Sequence, residues 1–176
     1  MDDRAEIRLV TPDPRFRDSF LDAMQEFTDV GEQNDLPAPI ETIREEFPLF
    51  VERMLYHQAN PLPHFVPQTM FWIARGDAYV GRLGLRHELN EMLRQFGGHI
   101  GYDIRPSMRR KGYGTQALAL GLDEAWQIGI DRVLVTCSEH NLPSRKIIEA
   151  NGGVLEDMVE TPFREELTCR YWIEIR

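Results

Sequence analysis

Cations and glycines that share one short stretch could bind an anion. Residues 109–115 read Arg-Arg-Lys-Gly-Tyr-Gly-Thr. Glycine leaves the backbone N–H groups uncovered, and the first turn of a helix adds N–H donors without partners inside the helix. Such donors, converging at the positive end of a helix dipole, bind phosphate groups. Adjacent cations repel one another unless an anion offsets their charge, so we predict that this stretch holds a pyrophosphate.

The flanking elements must present this stretch at the end of a strand and at the start of a helix. An apolar run at 99–104 predicts the strand that leads into it. Leu118, Leu122, Ala125 and Trp126 recur at helical spacing and predict a helix over 113–128. The anion site is therefore expected at this strand–helix junction.

Two anion-loop patterns fit the stretch in part. Residues 112–117 satisfy the dinucleotide pattern G-x-G-x-x-G/A. That pattern requires a strand running directly into the first glycine, whereas residues 105–111 intervene here, and the acidic residue after the next strand, Glu139, comes late. The second pattern is Arg/Gln-x-x-Gly-x-Gly/Ala, met as Arg109-x-x-Gly112-x-Gly114.

The second pattern resembles the acyl-CoA loop of the GNAT superfamily of N-acyltransferases. Residues 141–153, Asn-Leu-Pro-Ser-Arg-Lys-Ile-Ile-Glu-Ala-Asn-Gly-Gly, resemble the second CoA segment of that family, an Asn after a strand followed by a short helix that ends at glycine. The sequence at 97–106, Gly-Gly-His-Ile-Gly-Tyr-Asp-Ile-Arg-Pro, also resembles the sequences of a subgroup of predicted bacterial acetyltransferases. Together these segments cover roughly the last half of the chain.

The resemblance implies one α/β (α+β) domain over 1–176. Its sheet would be mixed and mostly antiparallel, with six to seven strands flanked by helices and one splayed parallel strand pair. In the splay, the pantetheine arm would pair with the backbone near 102–104 by strand addition. The residues that this resemblance assigns to the cofactor are Ile104, Arg109, Arg110, Lys111, Gly112, Tyr113, Gly114, Thr115, Asn141 and Ser144.

The implied reaction is transfer of an acyl group from acetyl-CoA to a primary amine of a small molecule or peptide. The resemblance implies no metal and allows a homodimer. Two alternatives remain open: a non-catalytic acyl-CoA-binding sensor or partner module, and a dinucleotide-binding protein. The first is motivated by Ile148, which stands where family members often carry a tyrosine general acid.

Candidates for the remaining roles are few. His99, on the strand before the loop, has the pKa range of a general base, but a strand histidine satisfied by a neighbour is the alternative. Asp103 is the second candidate base, unless it pairs with Arg105 or Arg109. His87 and Asn90, in the insertion before that strand, could line the acceptor pocket or belong to a surface helix.

Composition sets outer bounds on the function. The 176 residues carry a formal net charge of −9, with 42% hydrophobic and 28% charged residues. This charge argues against a nucleic-acid partner, which requires broad positive patches. No signal peptide and no membrane span are expected. The two cysteines lie in predicted strands, so we expect buried, reduced thiols in a cytoplasmic protein.

The other predicted elements follow from periodicity and from turn residues. A proline-punctuated connection is expected at 60–67, a loop at 31–39, and one or two helical turns within 87–96. Strands are predicted at 6–10, 69–75, 78–86, 132–137, 154–159 and 168–175. Helices are predicted at 14–29, 41–46, 49–58 and 143–150, and Pro48 is expected to interrupt the helix that begins at 41 before the piece at 49–58.

Overall fold

The protein is described from a computed structural model, which covers residues 6–32 and 36–175. Single 3-10 turns at Pro14–Phe16 and Pro106–Met108 accompany the regular elements. In chain order these are β1 (Arg8–Val10), α1 (Arg17–Asp29), α2 (Ile40–Glu45), α3 (Phe47–Ala59), β2 (Gln68–Arg75), β3 (Ala78–Arg86), α4 (Glu91–Gln95), β4 (Ile100–Ile104), α5 (Tyr113–Gln127), β5 (Arg132–Ser138), α6 (Leu142–Ala150), β6 (Val154–Thr161) and β7 (Arg164–Glu174).

The predicted elements are present, with small shifts at their ends. Asp13 accepts a hydrogen bond from the Arg15 N–H and opens the first helical segment, as a capping residue does. The predicted break near Pro48 is present, because α2 ends at Glu45 and α3 begins at Phe47. Pro48 itself lies in the first turn of α3, where a missing N–H costs nothing. Part of the predicted loop 31–39, residues 33–35, lies outside the described residues, as do residues 1–5.

The strands form two antiparallel sheets. One sheet has the order β1-β2-β3-β4 and the other the order β5-β7-β6. The predicted splayed pair, β4 and β5, therefore consists of one edge strand from each sheet. The edges meet at one end only, where the His99 N–H donates to the Leu134 carbonyl over 2.7 Å. Helix α5 connects the two strands and packs beneath them.

The buried side chains form two clusters. The larger cluster surrounds α5 and the facing sides of both sheets, including the alternating residues Cys169, Tyr171 and Ile173 of β7. The second cluster is mainly aromatic and joins α1 and α3 to the far face of β2 and β3. Its centre is Phe20 stacked on Trp72, with ring centroids 5.1 Å apart.

Two further sequence expectations have structural counterparts. Cys137 and Cys169 are both buried free thiols. Within the described residues, no helix is long and apolar enough to cross a bilayer.

Candidate active site

The loop before α5 has the backbone shape that the sequence predicted. Gly112 caps the helix with φ +82°, a left-handed conformation that glycine adopts without strain. Arg110 is also left-handed, with φ +58°. The first intrahelical bond runs from the Gln116 N–H to the Gly112 carbonyl over 3.1 Å. The N–H groups of residues 113–115 therefore have no acceptor within α5 and lie at its positive end.

Two members of this segment contribute through packing rather than through their side chains. The Tyr113 side chain is only 4% exposed and belongs to the core, which leaves its backbone N–H for a ligand. A Cβ on Gly114 would lie 2.6 Å from Ile147 Cδ1 of α6. Gly114 is therefore the residue that lets α5 approach α6 closely.

The three cations of the loop have different partners. Arg109 forms a bidentate pair with Glu32, in which both N–O distances are 2.6 Å, and its Nε donates to the Ile104 carbonyl over 2.9 Å. The hydrogen bonds that Arg109 donates to Glu32 raise the pKa of Arg109. Lys111 Nζ donates to the Ser107 carbonyl over 2.9 Å. Arg110 is exposed and has no ion pair within the described part of the chain, so it is the cation most available to an anion.

The backbone of β4 is open on the side that faces β5. The Arg86 N–H donates to the His99 carbonyl, and the Arg105 N–H donates to Val80. Because hydrogen-bonded pairs alternate along an antiparallel ladder, residues 99, 101, 103 and 105 bond to β3. The polar backbone groups of residues 100, 102 and 104 consequently point away from β3, toward the gap between the sheets.

A cleft of about 410 Å³ occupies this gap, and we call it the cofactor cleft. It is lined by both strand edges and by the start of α6. Asn141 caps α6 by accepting the Ser144 N–H over 3.1 Å. The Ser144 hydroxyl lies 3.0 Å from the Tyr102 hydroxyl across the cleft. Burial raises the pKa of Tyr102 to about 12, so its hydroxyl stays protonated at neutral pH.

The contact between Tyr102 and Ser144 was not predicted from the sequence. Ile148, the position of the expected tyrosine, is 0% exposed and packs in the core. Ser144 lies one turn earlier on the same face of α6, as i,i+4 neighbours do. The cross-sheet contact to Tyr102 depends on the three-dimensional arrangement, which no local spacing reveals.

His99 lies between the two sheets and is only 7% exposed. Its Nδ1 accepts the Leu134 N–H over 2.9 Å, while its backbone N–H donates to Leu134. Burial, together with the charges of Arg94 and Arg86, lowers the pKa of His99 to about 4. The ring is neutral at neutral pH and its Nδ1 lone pair is occupied, which describes a structural link between sheets rather than a free base.

Asp103 lies at the inner end of the cofactor cleft, half-exposed. Its carboxylate accepts from Arg82 Nε over 2.8 Å. Neither of the arginines considered from the sequence is its partner: Arg105 instead bonds to Glu26, and Arg109 to Glu32. Asp103 therefore remains accessible from the cleft as a proton acceptor.

His87 and Asn90 are placed apart from the cleft. His87 Nε2 lies 2.8 Å from the Thr69 hydroxyl. Asn90 caps α4 by accepting the Leu93 N–H over 2.9 Å. Neither residue lines the cofactor cleft or the two cavities described next.

Two cavities extend from Asp103 toward α1 and α3. The inner cavity, of about 210 Å³, shares Met70, Arg82 and Asp103 with the cofactor cleft. The outer cavity, of about 360 Å³, shares Met70, Phe50, Met54 and Pro37 with the inner one. All three spaces share Met70, and the outer cavity also shares Gln68 with the cofactor cleft, while Asp103 lies where the cofactor cleft meets the inner cavity.

A second arginine joins the end of β4 to α1. Arg105, only 9% exposed, donates to Glu26 of α1 and to the Tyr79 carbonyl. Burial raises the pKa of Glu26, but hydrogen bonds from Arg105 and Ser107 lower it, and the net pKa lies below the ordinary value. These bonds hold α1 against the end of β4.

Solved structures of known proteins share this architecture. The microcin C7 self-immunity acetyltransferase MccE, solved with acetyl-CoA and AMP, superposes with a TM-score of 0.70 at 16% identity, covering 97% of this chain and 93% of that one. RimJ of Mycobacterium smegmatis, solved with CoA-disulfide, gives 0.71 at 18% identity, covering 96% and 81%. RimL, a ribosomal L7/L12 α-N-protein acetyltransferase, gives 0.70 at 17%, covering 96% and 94%. A search of curated protein sequences finds no match.

The profile of the acetyltransferase (GNAT) domain family matches residues 4–154, and the chain belongs to that family. It is accordingly an N-acetyltransferase. The fold expected from the sequence is confirmed, and acetyl-CoA is a ligand with which its structural neighbour MccE was solved. The dinucleotide-binding alternative is wrong, because the strands pair antiparallel and form no doubly wound parallel sheet. Among the described residues, no group of His, Cys, Asp and Glu side chains could hold a metal ion.

Proposed function

We propose that the protein acetylates a primary amine that enters through the inner cavity and meets the thioester at Asp103. The observation that carries this proposal is the shared wall at Asp103, between the cofactor cleft and the inner cavity. The amine belongs to a small molecule or to a peptide. The α-amino group that RimL modifies on a ribosomal protein supports the peptide option by analogy.

The loop before α5 is proposed to hold the pyrophosphate of acetyl-CoA. The unpaired N–H groups of residues 113–115 and the Arg110 guanidinium supply donors and positive charge. The open edge of β4 then accepts the pantetheine arm as an added strand, through the backbone of Tyr102 and Ile104. Asn141 and Ser144 form the opposite wall.

Asp103 is proposed to accept the proton that the attacking amine loses. The ammonium first loses one proton to solvent, and the neutral amine nitrogen attacks the carbonyl carbon of the thioester. The C–N bond forms, the C–S bond breaks, and the nitrogen passes its second proton to Asp103 as it becomes the amide. The backbone N–H of Ile104 faces the same gap and can donate to the oxygen that gains charge. His99 is proposed to position β4 and β5, since its Nδ1 is used by Leu134.

The Tyr102–Ser144 pair is proposed to donate a proton to the departing thiolate. The two hydroxyls are 3.0 Å apart in the cofactor cleft, so Ser144 can pass its proton to the thiolate sulfur, Tyr102 can resupply Ser144, and solvent then reprotonates Tyr102. This pair fills the role left open by Ile148. A CoA thiol has an ordinary pKa near about 8.5, so the acid assists the reaction modestly.

The test is acetyl transfer from acetyl-CoA to a panel of amines, measured by thiol release and by mass spectrometry of the product. Thiol release with acetylated product supports the proposal, and its loss in Asp103→Asn supports the role of the carboxylate. CoA binding without turnover on any amine would instead favour the sensor module that Ile148 first suggested.

Three wider expectations accompany this function. We propose that residues 1–176 act as one domain and that the protein works in the cytoplasm, which its two free thiols support. A homodimer stays a prediction, to be checked by sedimentation. The acidic net charge of −9 supports an acceptor other than nucleic acid.

A further inference from the structure

The walls of the acceptor cavities define a class of amine, and this step rests on the proposed function. The deep part of the inner cavity is formed by aromatic rings and methionines that no motif singled out. They come from α1, α3, β2 and β3, and they are Phe20, Phe27, Phe50, Met54, Trp72 and Tyr79. Aromatic and methionine side chains make large apolar contacts, and methionine adapts to irregular shapes.

The charged groups of the inner cavity are already neutralised. Its two described carboxylates are Glu32 and Asp103. Glu32 is held by both Nη atoms of Arg109 at 2.6 Å, and Asp103 by Arg82 Nε at 2.8 Å. A polycation would therefore find no uncompensated negative charge on these described walls, and it would lose hydration against aromatic surface. The cavity does not suit a polyamine.

The size of the space favours one apolar group beside the reacting nitrogen. The inner cavity measures about 210 Å³ and shares Phe50, Met54 and Met70 with the outer cavity of about 360 Å³. Polar side chains such as Gln58, Gln68 and His57 occur on the outer cavity and not on the inner one. An acceptor with its amine at Asp103 would thus place a bulky group among rings and methionines, and any polar remainder farther out.

We infer that the acceptor is a primary amine joined directly to a bulky apolar or aromatic group. Two sources share this chemistry: a free arylalkylamine, and a peptide whose N-terminal residue has a large apolar side chain. In both, the apolar group fills the inner cavity and carries the nitrogen to the thioester. Asp103 would contact only the reacting nitrogen, so a second ammonium group of the acceptor would find no unpaired carboxylate on the described walls of the inner cavity.

The experiment compares kcat/KM for matched amines with the full chain and acetyl-CoA. Phenethylamine is paired with ethanolamine, and a peptide beginning with Phe is paired with one beginning with Ser; spermidine is the polycation. We expect the apolar member of a pair to exceed the polar one by about tenfold or more, as burial in an apolar pocket allows. Preference for phenethylamine identifies the small-molecule source, and preference for the Phe peptide identifies the peptide source.

A matched pair of variants tests the cavity itself. Met54→Gln puts an amide into the wall shared by both cavities, whereas Met158→Gln changes an exposed methionine of β6 that is 44% accessible. We expect Met54→Gln to lower kcat/KM for the apolar amine about tenfold, with little change for ethanolamine. Met158→Gln should match the wild type, and Met54→Leu should restore the preference.

The outcomes separate this inference from the function it rests on. Equal or better use of ethanolamine, the Ser peptide or spermidine overturns the inference while leaving the acetyltransferase intact. No transfer to any amine overturns the proposed function, and the inference is then judged by thermal shift of the CoA-bound protein. In that assay, phenethylamine must raise Tm more than ethanolamine does, and a smaller or equal shift overturns it.

Discussion

The two halves of the site are built by different means. The cofactor side consists of backbone: the helix start at Gly112, the open edge of β4, and the cap at Asn141. The acceptor side consists of side chains from four elements far apart in the chain, such as Phe20 and Met70. A backbone site serves one invariant ligand, whereas a side-chain site can change with each residue while the fold stays the same.

This difference separates what is general from what is particular in the protein. In the proposed site, phosphate and pantetheine would be recognised by N–H groups that any sequence with the right turns would supply. The acceptor would be recognised by rings and thioethers whose positions depend on the residues of this sequence. Substitutions on the two sides should therefore affect different kinetic constants, and the following experiments test that separation, beginning with the largest effect.

Replacing Gly112 should abolish CoA binding without unfolding the protein. In Gly112→Val the residue must hold φ +82°, which costs a β-branched side chain about 1–3 kcal/mol, and its bulk covers the N–H donors. We expect CoA affinity to fall beyond detection in calorimetry while the protein stays folded. Gly129→Val is the matched control, because Gly129 also has positive φ, +87°, at the other end of α5. Comparable loss of CoA binding in both variants would contradict the loop assignment.

Replacing Asp103 should stop chemistry without affecting donor binding. Asp103→Asn keeps the size of the side chain but removes proton acceptance, so kcat should fall about 100-fold or more. The Kd for CoA should change little, because the cofactor is held by backbone. Asp123→Asn, at an exposed position on α5, is the control. An unchanged kcat in Asp103→Asn would exclude Asp103 as the base.

The His99 link makes stability depend on pH. The pKa of His99 is about 4 in the folded protein and has an ordinary value of 6.5 in the unfolded chain. The neutral His99 therefore makes its full contribution to the free energy of unfolding above pH 6.5. As pH falls from 6.5 to 4, His99 is protonated in the unfolded chain but stays neutral in the folded protein. The free energy of unfolding should therefore decline by up to about 3 kcal/mol. His99→Asn retains an acceptor for Leu134 but cannot titrate. Urea unfolding across this range should show a shallower decline in His99→Asn than in the control His140→Asn; equal slopes would refute the assignment.

The smallest effect is expected at Arg110. Its side chain is exposed, so Arg110→Ala should weaken CoA binding only a few-fold, through a screened charge. The loss should be larger at low salt than at high salt. Arg44→Ala, at an exposed position on α2, should leave CoA binding unchanged at either salt concentration. A salt-independent loss would mean that Arg110 acts through loop structure instead.

The sequence revealed the cofactor side because its signals are local. Gly112, Gly114 and Asn141 each act within a few residues of their position, so spacing along the chain reports their geometry. Periodicity likewise predicted nearly all helices and strands. The ion-pair partners of the charged residues could not be predicted from the sequence. Arg109 bonds to Glu32 and Asp103 to Arg82, and both contacts join segments that are distant in the chain.

The acceptor side was not predicted for the same reason. The helix predicted at 14–29 has Phe16, Phe20, Met24 and Phe27 at helical spacing, but the side chains of a core face and those of a cavity wall have the same periodicity. His87 and Asn90 were chosen by their nearness to β4 in sequence, and the structure gives them other partners. Only the packing of α1 and α3 on the sheet shows where a cavity opens.

The Arg109 guanidinium contacts both halves at once, through the carbonyl of Ile104 and the carboxylate of Glu32. Occupancy of one half should therefore alter the affinity of the other, and thermodynamic reciprocity requires the same factor in both directions. Bound acceptor should therefore change the Kd for CoA by the same factor by which bound CoA changes the Kd for the acceptor, and Glu32→Gln should bring both factors toward one.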